Sequence, residues 1–148
     1  MFKLPLYLAL CMALIFYSVA TTESPRLEVL GHGEYAIYSR EDVQSPLVTR
    51  RLTSGIGFIY YTNSENAAAL RGQFTNIDGE SIVLHGTSAP QIIRMLGYNQ
   101  VSQNDNIYYA YSPRALAFIK SGGQKINLQI VERGGTTIVG WPVILGSY

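Results

Sequence analysis

From Glu34 onward the apolar positions come in short runs broken by Gly, Asn and Asp, the pattern of a sheet with little helix. Glu34 to Tyr38 alternates, with Tyr35 and Ile37 on one face. Gly55 to Thr62 is a second strand, setting Phe58 and Tyr60 opposite Ile59 and Tyr61. A helix follows, with Ser64 as its N-cap, because a serine hydroxyl accepts an orphan backbone N–H of the first turn. Ala67, Leu70 and Phe74 keep helical spacing, and Gly72 ends the helix early. Asp78-Gly79 signals a turn, and Glu80 to His85 alternates as a strand with Ile82 and Leu84 inward.

The second predicted helix carries the clearest local signals. Thr87 or Ser88 caps it, Ser88 with Gln91 fits a capping box, and Pro90 suits its first turn. Ile92, Ile93 and Leu96 form the buried stripe, and Gly97 closes it in the left-handed conformation. Tyr98 to Ser102 and Ile107 to Ser112 then read as a hairpin around Asn104-Asp105-Asn106. Lys125 to Ile130 alternates without interruption, as in a strand with one wet face. Gly134-Gly135 leads into a last strand, Thr136 to Leu145, which Pro142 places at an edge or a bulge because proline lacks a ladder donor. The expected fold is α+β, an antiparallel sheet with two short helices packed on one face.

The start of the chain follows a different pattern. Lys3 precedes an apolar run from Leu4 to Val19, and Ser18-Val19-Ala20 offers small residues where signal peptidase cuts. Three segments are expected: a signal peptide over residues 1–20, a polar tether over 21–33, and one α+β domain over 34–148. If the first segment stayed uncleaved it would serve as a membrane anchor, and the domain would face outward in either case. The one cysteine, Cys11, lies within the apolar run, so cleavage after Ala20 leaves a domain with no thiol and no disulfide.

Composition narrows the function. With 47% hydrophobic and 14% charged residues the chain can build a core without disulfides. Eleven Lys+Arg stand against ten Asp+Glu, and losing Lys3 leaves ten of each. Such a balance lacks the basic field that nucleic-acid binding requires, and the Arg50-Arg51 doublet reads as solvated surface.

At the C-terminus, Lys125-Ile126-Asn127-Leu128-Gln129-Ile130 followed by Thr137-Ile138-Val139-Gly140-Trp141-Pro142-Val143-Ile144 resembles the end of the YwmB family. That family comprises secreted proteins of spore-forming Gram-positive bacteria, with a fold likened to the TATA-box-binding protein. The resemblance spans roughly 25 residues, the chain is shorter than the family's members, and Trp141 stands where the family has threonine. It implies an envelope-exposed α+β protein, and its motif positions carry no functional residues; despite the fold label it does not imply DNA binding, since an exported domain without net charge would not meet DNA.

Candidate chemistry is sparse. His32 lies between glycines and His85 ends a strand; neither has ligand-spaced neighbours, so no metal site is expected. Gly31-His32-Gly33 and Gly122-Gly123 are turns, without the helix that a phosphate loop needs. Asp78 and Glu80 read as solvated turn residues more readily than as paired catalytic acids. No cofactor is expected. Tyrosine stands out, with eleven in the chain and three in Tyr108-Tyr109-Ala110-Tyr111. Tyr109 and Tyr111 fall on one face of the strand and Tyr108 on the other. With Arg114 and Trp141 they form the candidate binding set, able to stack on sugar rings or grip an apolar peptide. The function expected is therefore a non-enzymatic, extracytoplasmic binding or accessory domain whose partner is an envelope protein or a wall polymer. A small secreted hydrolase using a carboxylate and His85 is the alternative, and a purely structural oligomer subunit is a third.

Overall fold

The computed structural model of the chain describes residues 24–115 and 117–145. The predicted signal segment and Cys11 lie outside the described residues. Within them no helix is long and apolar enough to cross a membrane.

Among the described residues, ten strands and two helices follow a short 3-10 turn, Leu27–Leu30. The strands are β1 (Glu34–Ser39), β2 (Arg50–Ser54), β3 (Gly57–Asn63), β4 (Gly79–His85), β5 (Asn99–Asn104), β6 (Ile107–Tyr111), β7 (Ile119–Ser121), β8 (Gln124–Ile126), β9 (Leu128–Arg133) and β10 (Thr136–Trp141). The helices are α1 (Ala67–Arg71) and α2 (Ala89–Leu96). Eight strands form one antiparallel sheet in the order β2-β3-β1-β4-β10-β9-β6-β5, and β7 with β8 forms a separate hairpin. The architecture is α+β, as the alternation predicts.

One face of the sheet makes the core. Tyr35 and Ile37, Tyr60, Ile82 and Leu84, Leu128 and Ile130, and Val139 point to it, and Ala67, Leu70, Ala89, Ile92 and Ile93 close it from the two helices. α2 forms as its local signals require: Ser88 Oγ accepts from Gln91 N–H, Gln91 Oε1 accepts from Ser88 N–H, and Gly97 ends the helix at φ 70°.

Four expectations need correction. β10 is not an edge: it lies between β4 and β9, and Pro142 is tolerated because the ladder stops at Trp141, one residue earlier. Lys125 to Ile130 is two strands, broken at Asn127. That side chain is buried, accepting from Ser112 N–H at 2.9 Å and donating to the carbonyls of Ser112 and Ala115, so it turns inward and pins the 112–115 loop. Ser64 does not cap α1, whose N-cap is Asn66; its hydroxyl accepts instead from Gly33 N–H at 3.1 Å. The 21–33 stretch is not tether throughout, since Leu27 and Leu30 are buried in the core. Arg50 and Arg51 are exposed, as the sequence predicts, on a strand that the alternation does not mark, β2. Their guanidinium groups are exposed but lie over the Tyr61 and Phe58 rings at 3.9 and 4.5 Å.

Candidate functional site: a groove on the sheet face opposite the helices

The face away from the helices is read directly from the registers. One cross-strand row runs the full width of the sheet: Arg50, Tyr61, Ala36, Ser81, Gly140, Gln129, Tyr109, Ser102. Its middle members are small, and the chain uses that. After Trp141 the peptide bond to Pro142 is cis, and residues 143–145 then cross this face as a strap. Ile144 N–H donates to Gln129 Oε1 at 3.0 Å, and Leu145 N–H donates to Ser81 Oγ at 2.8 Å. Gly140 is where the strap passes closest: a Cβ there would fall inside the backbone of Val143 and Ile144. Leu145 packs against the small cluster of Ala36, Ile59 and Tyr61.

The strap covers the centre of the face and leaves a groove beside it of about 310 Å³. Ile107, Val131 and Ile138, neighbours across β6, β9 and β10, form its floor. Ile144 of the strap contributes an apolar wall, and Gln129 and Arg133 supply polar groups. Arg133 is exposed and makes no ion pair among the described residues. The arrangement is an apolar seat with amide and guanidinium groups beside it. It can hold an aliphatic side chain and pair with a neighbouring carboxylate.

The structure divides the five candidate binding residues. Tyr109 and Tyr111 lie half-buried on the groove's face, Tyr109 next to Gln129 in the cross-strand row. Tyr108 points to the core face and packs against the hydrophobic cluster. Trp141 is 5% exposed, also on the core side. Arg114 is exposed in the loop after β6. His85, the alternative catalytic candidate, is exposed on the groove's side of the sheet, with its Nδ1 3.4 Å from Thr136 Oγ1 and no carboxylate bonded to it among the described residues. Among those residues no group of His, Cys, Asp and Glu could hold a metal ion.

The opposite face buries a charge that the Asp78-Gly79 turn signal predicts to be solvated. Glu80 is not a turn residue: it is fully buried on β4, on the same side as Ile82 and Leu84. Arg71, the last residue of α1, donates to Glu80, to Tyr35 Oη at 2.6 Å, and twice to Glu28. Tyr35 Oη donates to Glu80 in turn. Burial and the Glu80 charge hold the Tyr35 hydroxyl far above its usual range, so it stays a donor. Burial alone would weaken the Arg71 charge, but its bonds to Glu28 and the charge of Glu80 outweigh that and hold it protonated. Burial likewise opposes the Glu28 charge, yet the Arg71 bonds hold its carboxyl below the usual value. The sequence signal for Glu80 was its parity with Ile82 and Leu84; nothing local marked Arg71 as its partner.

Comparison of the chain with protein-family models, with curated proteins and with solved structures gives no match in any of the three.

Proposed function

We propose that this protein is an extracytoplasmic, non-enzymatic binding domain that holds an extended segment of an envelope protein in the groove beside its C-terminal strap. Removal of the N-terminal segment after Ala20 belongs to the same reading, as does the resemblance to the YwmB family of secreted proteins. The observation that carries the binding role is the groove itself: three aliphatic floor residues and Ile144, with Arg133 unpaired among the described residues. An apolar side chain seated there loses its water, and an adjacent carboxylate meets the guanidinium. The partner segment is thus an aliphatic residue next to an acidic one. A protein segment suits the aliphatic floor better than a wall polymer, because sugar rings seek a flat aromatic face.

The test is a photo-crosslinking residue, p-benzoylphenylalanine, placed at Ile107 in the groove and at exposed Met95 on α2 as control. Irradiation in the producing cells should give a protein adduct at Ile107 and none at Met95. Arg133→Glu should remove the adduct and Arg133→Lys should keep it. Equal labelling at both sites, or an adduct indifferent to Arg133→Glu, would refute the reading.

A further inference from the structure

The β7–β8 hairpin is independent of the groove and supplies none of its lining residues. Gly122 and Gly123, at φ 56° and 79°, make its two-residue turn, which fixes the register Ile119↔Ile126, Lys120↔Lys125 and Ser121↔Gln124. Opposed residues of an antiparallel pair share a face, and faces alternate along each strand. Ile126 is buried, so the face it shares with Ile119 is the inner one. The outer face carries Lys120 and Lys125, both exposed. Phe118, two residues before Lys120, joins them at 42% exposure, with the Lys125 ammonium 4.7 Å from its ring centroid.

Nothing balances the charge of that face. Between Asp105 and Glu132 the chain has Arg114, Lys120 and Lys125 and no acidic residue, and apart from Lys3 it has no other lysine. Among the described residues no carboxylate forms an ion pair with any of the three. Like charges placed directly opposite destabilise a strand pair, so the Lys120–Lys125 pair gains from an anionic partner. The exposed ring narrows what that partner is. A soluble polyanion would neutralise the lysines and leave Phe118 in water. An anionic bilayer satisfies both, because its headgroup phosphates lie just above acyl chains that accept an aromatic ring. We propose that this hairpin docks on the surface of an anionic phospholipid membrane, with Lys120 and Lys125 on headgroup phosphates and Phe118 at the acyl boundary.

The experiment uses the full chain carrying Phe118→Trp, with Met95→Trp at an exposed position of α2 as the control. Each variant is titrated with vesicles of acyl-brominated phosphatidylcholine, alone or mixed with acyl-brominated phosphatidylglycerol. Bromine quenches an indole that reaches the acyl boundary, whereas Trp141 is buried and gives a constant background. Residues 1–20 are common to all variants, so differences between variants report the hairpin. The mixed vesicles should quench Phe118→Trp along a saturable curve and phosphatidylcholine alone should not, while Met95→Trp stays unquenched by both. Adding Lys120→Gln should weaken the apparent affinity of Phe118→Trp about fivefold, the weight of one basic residue near such a surface, and Lys125→Gln as well about 25-fold in all. Both lysines are exposed, so neither change should lower Tm. Equal quenching of the two tryptophan variants, quenching indifferent to phosphatidylglycerol or to the lysines, or no quenching overturns the proposal. Lysine-dependent binding of soluble polyglycerol phosphate without quenching by the mixed vesicles overturns it as well, because the partner is then a polymer.

Discussion

Replacing Arg71 by methionine puts the buried charge cluster to the sharpest test. Methionine keeps much of the apolar stem but removes four hydrogen bonds: two to Glu28, one to Glu80 and one to Tyr35. What remains is a carboxylate with no exposed surface, held by the Tyr35 hydroxyl alone. Breaking a buried ion pair from one side costs about 3–5 kcal/mol, because the surviving charge has neither water nor a counter-ion. A domain of this size loses about 4 °C of Tm per kcal/mol, so Arg71→Met should melt about 12–20 °C lower. Since total stability is about 5–15 kcal/mol, the variant can still fold. Adding Glu80→Gln to it removes the stranded charge, so the double variant should be at least about 1 kcal/mol more stable than the sum of the single effects. Urea unfolding followed by the fluorescence of Trp141 measures all three variants, because that ring is buried beside the cluster. A cost below about 1 kcal/mol for Arg71→Met, the range of an exposed pair, would refute the burial; strict additivity would refute the pairing.

The strap and the titrating side chains each give a further expectation. Gly140→Ala drives a methyl group into the strap backbone and should cost about 1–3 kcal/mol, with faster exchange of the Ile144 and Leu145 amide protons as the specific readout. Stability should also fall at both ends of the pH range. At the acid end, Glu28 is held below the usual 4.5 by Arg71 against its burial, and Glu41 by the Asn76 and Thr75 backbone N–H groups. Their contribution is complete above pH 4.5 and is lost as pH drops through their lower folded values. At the alkaline end, Tyr35 and Tyr98 are raised above 10 chiefly by burial, so their contribution is complete below pH 10 and lost above it. Thermal melts across the range check this: Glu41→Gln should flatten the acid slope and Tyr35→Phe the alkaline one, and unchanged slopes would contradict the assignment.

What could be read from the sequence was what short segments decide for themselves. α2 carries its own cap, first turn and stop in Ser88, Gln91, Pro90 and Gly97, so it forms where predicted. The β5–β6 hairpin is set by Asn104-Asp105-Asn106, with Asp105 in the left-handed region at φ 52°. Errors arose where a distant partner decides. Alternation over Lys125 to Ile130 is the same for one strand or for two, and only the bonds from Asn127 to the 112–115 loop break it. Glu80 shares the parity of Ile82 and Leu84, but burying it depends on Arg71 arriving from α1. The groove is harder still. It needs Ile107, Val131 and Ile138 aligned across three strands and a strap laid over Gly140, and no local pattern reports that juxtaposition.

The groove can be probed directly with N-acetyl-leucine, which joins one aliphatic side chain to one carboxylate. Methyl NMR of Ile107, Val131, Ile138 and Ile144 in the full chain follows its binding. These four residues should shift together and saturate at roughly 10 mM, and the uncharged N-acetyl-leucine amide or the Arg133→Glu variant should weaken the effect severalfold. Shifts scattered over both faces of the sheet, or equal binding of acid and amide, would contradict it.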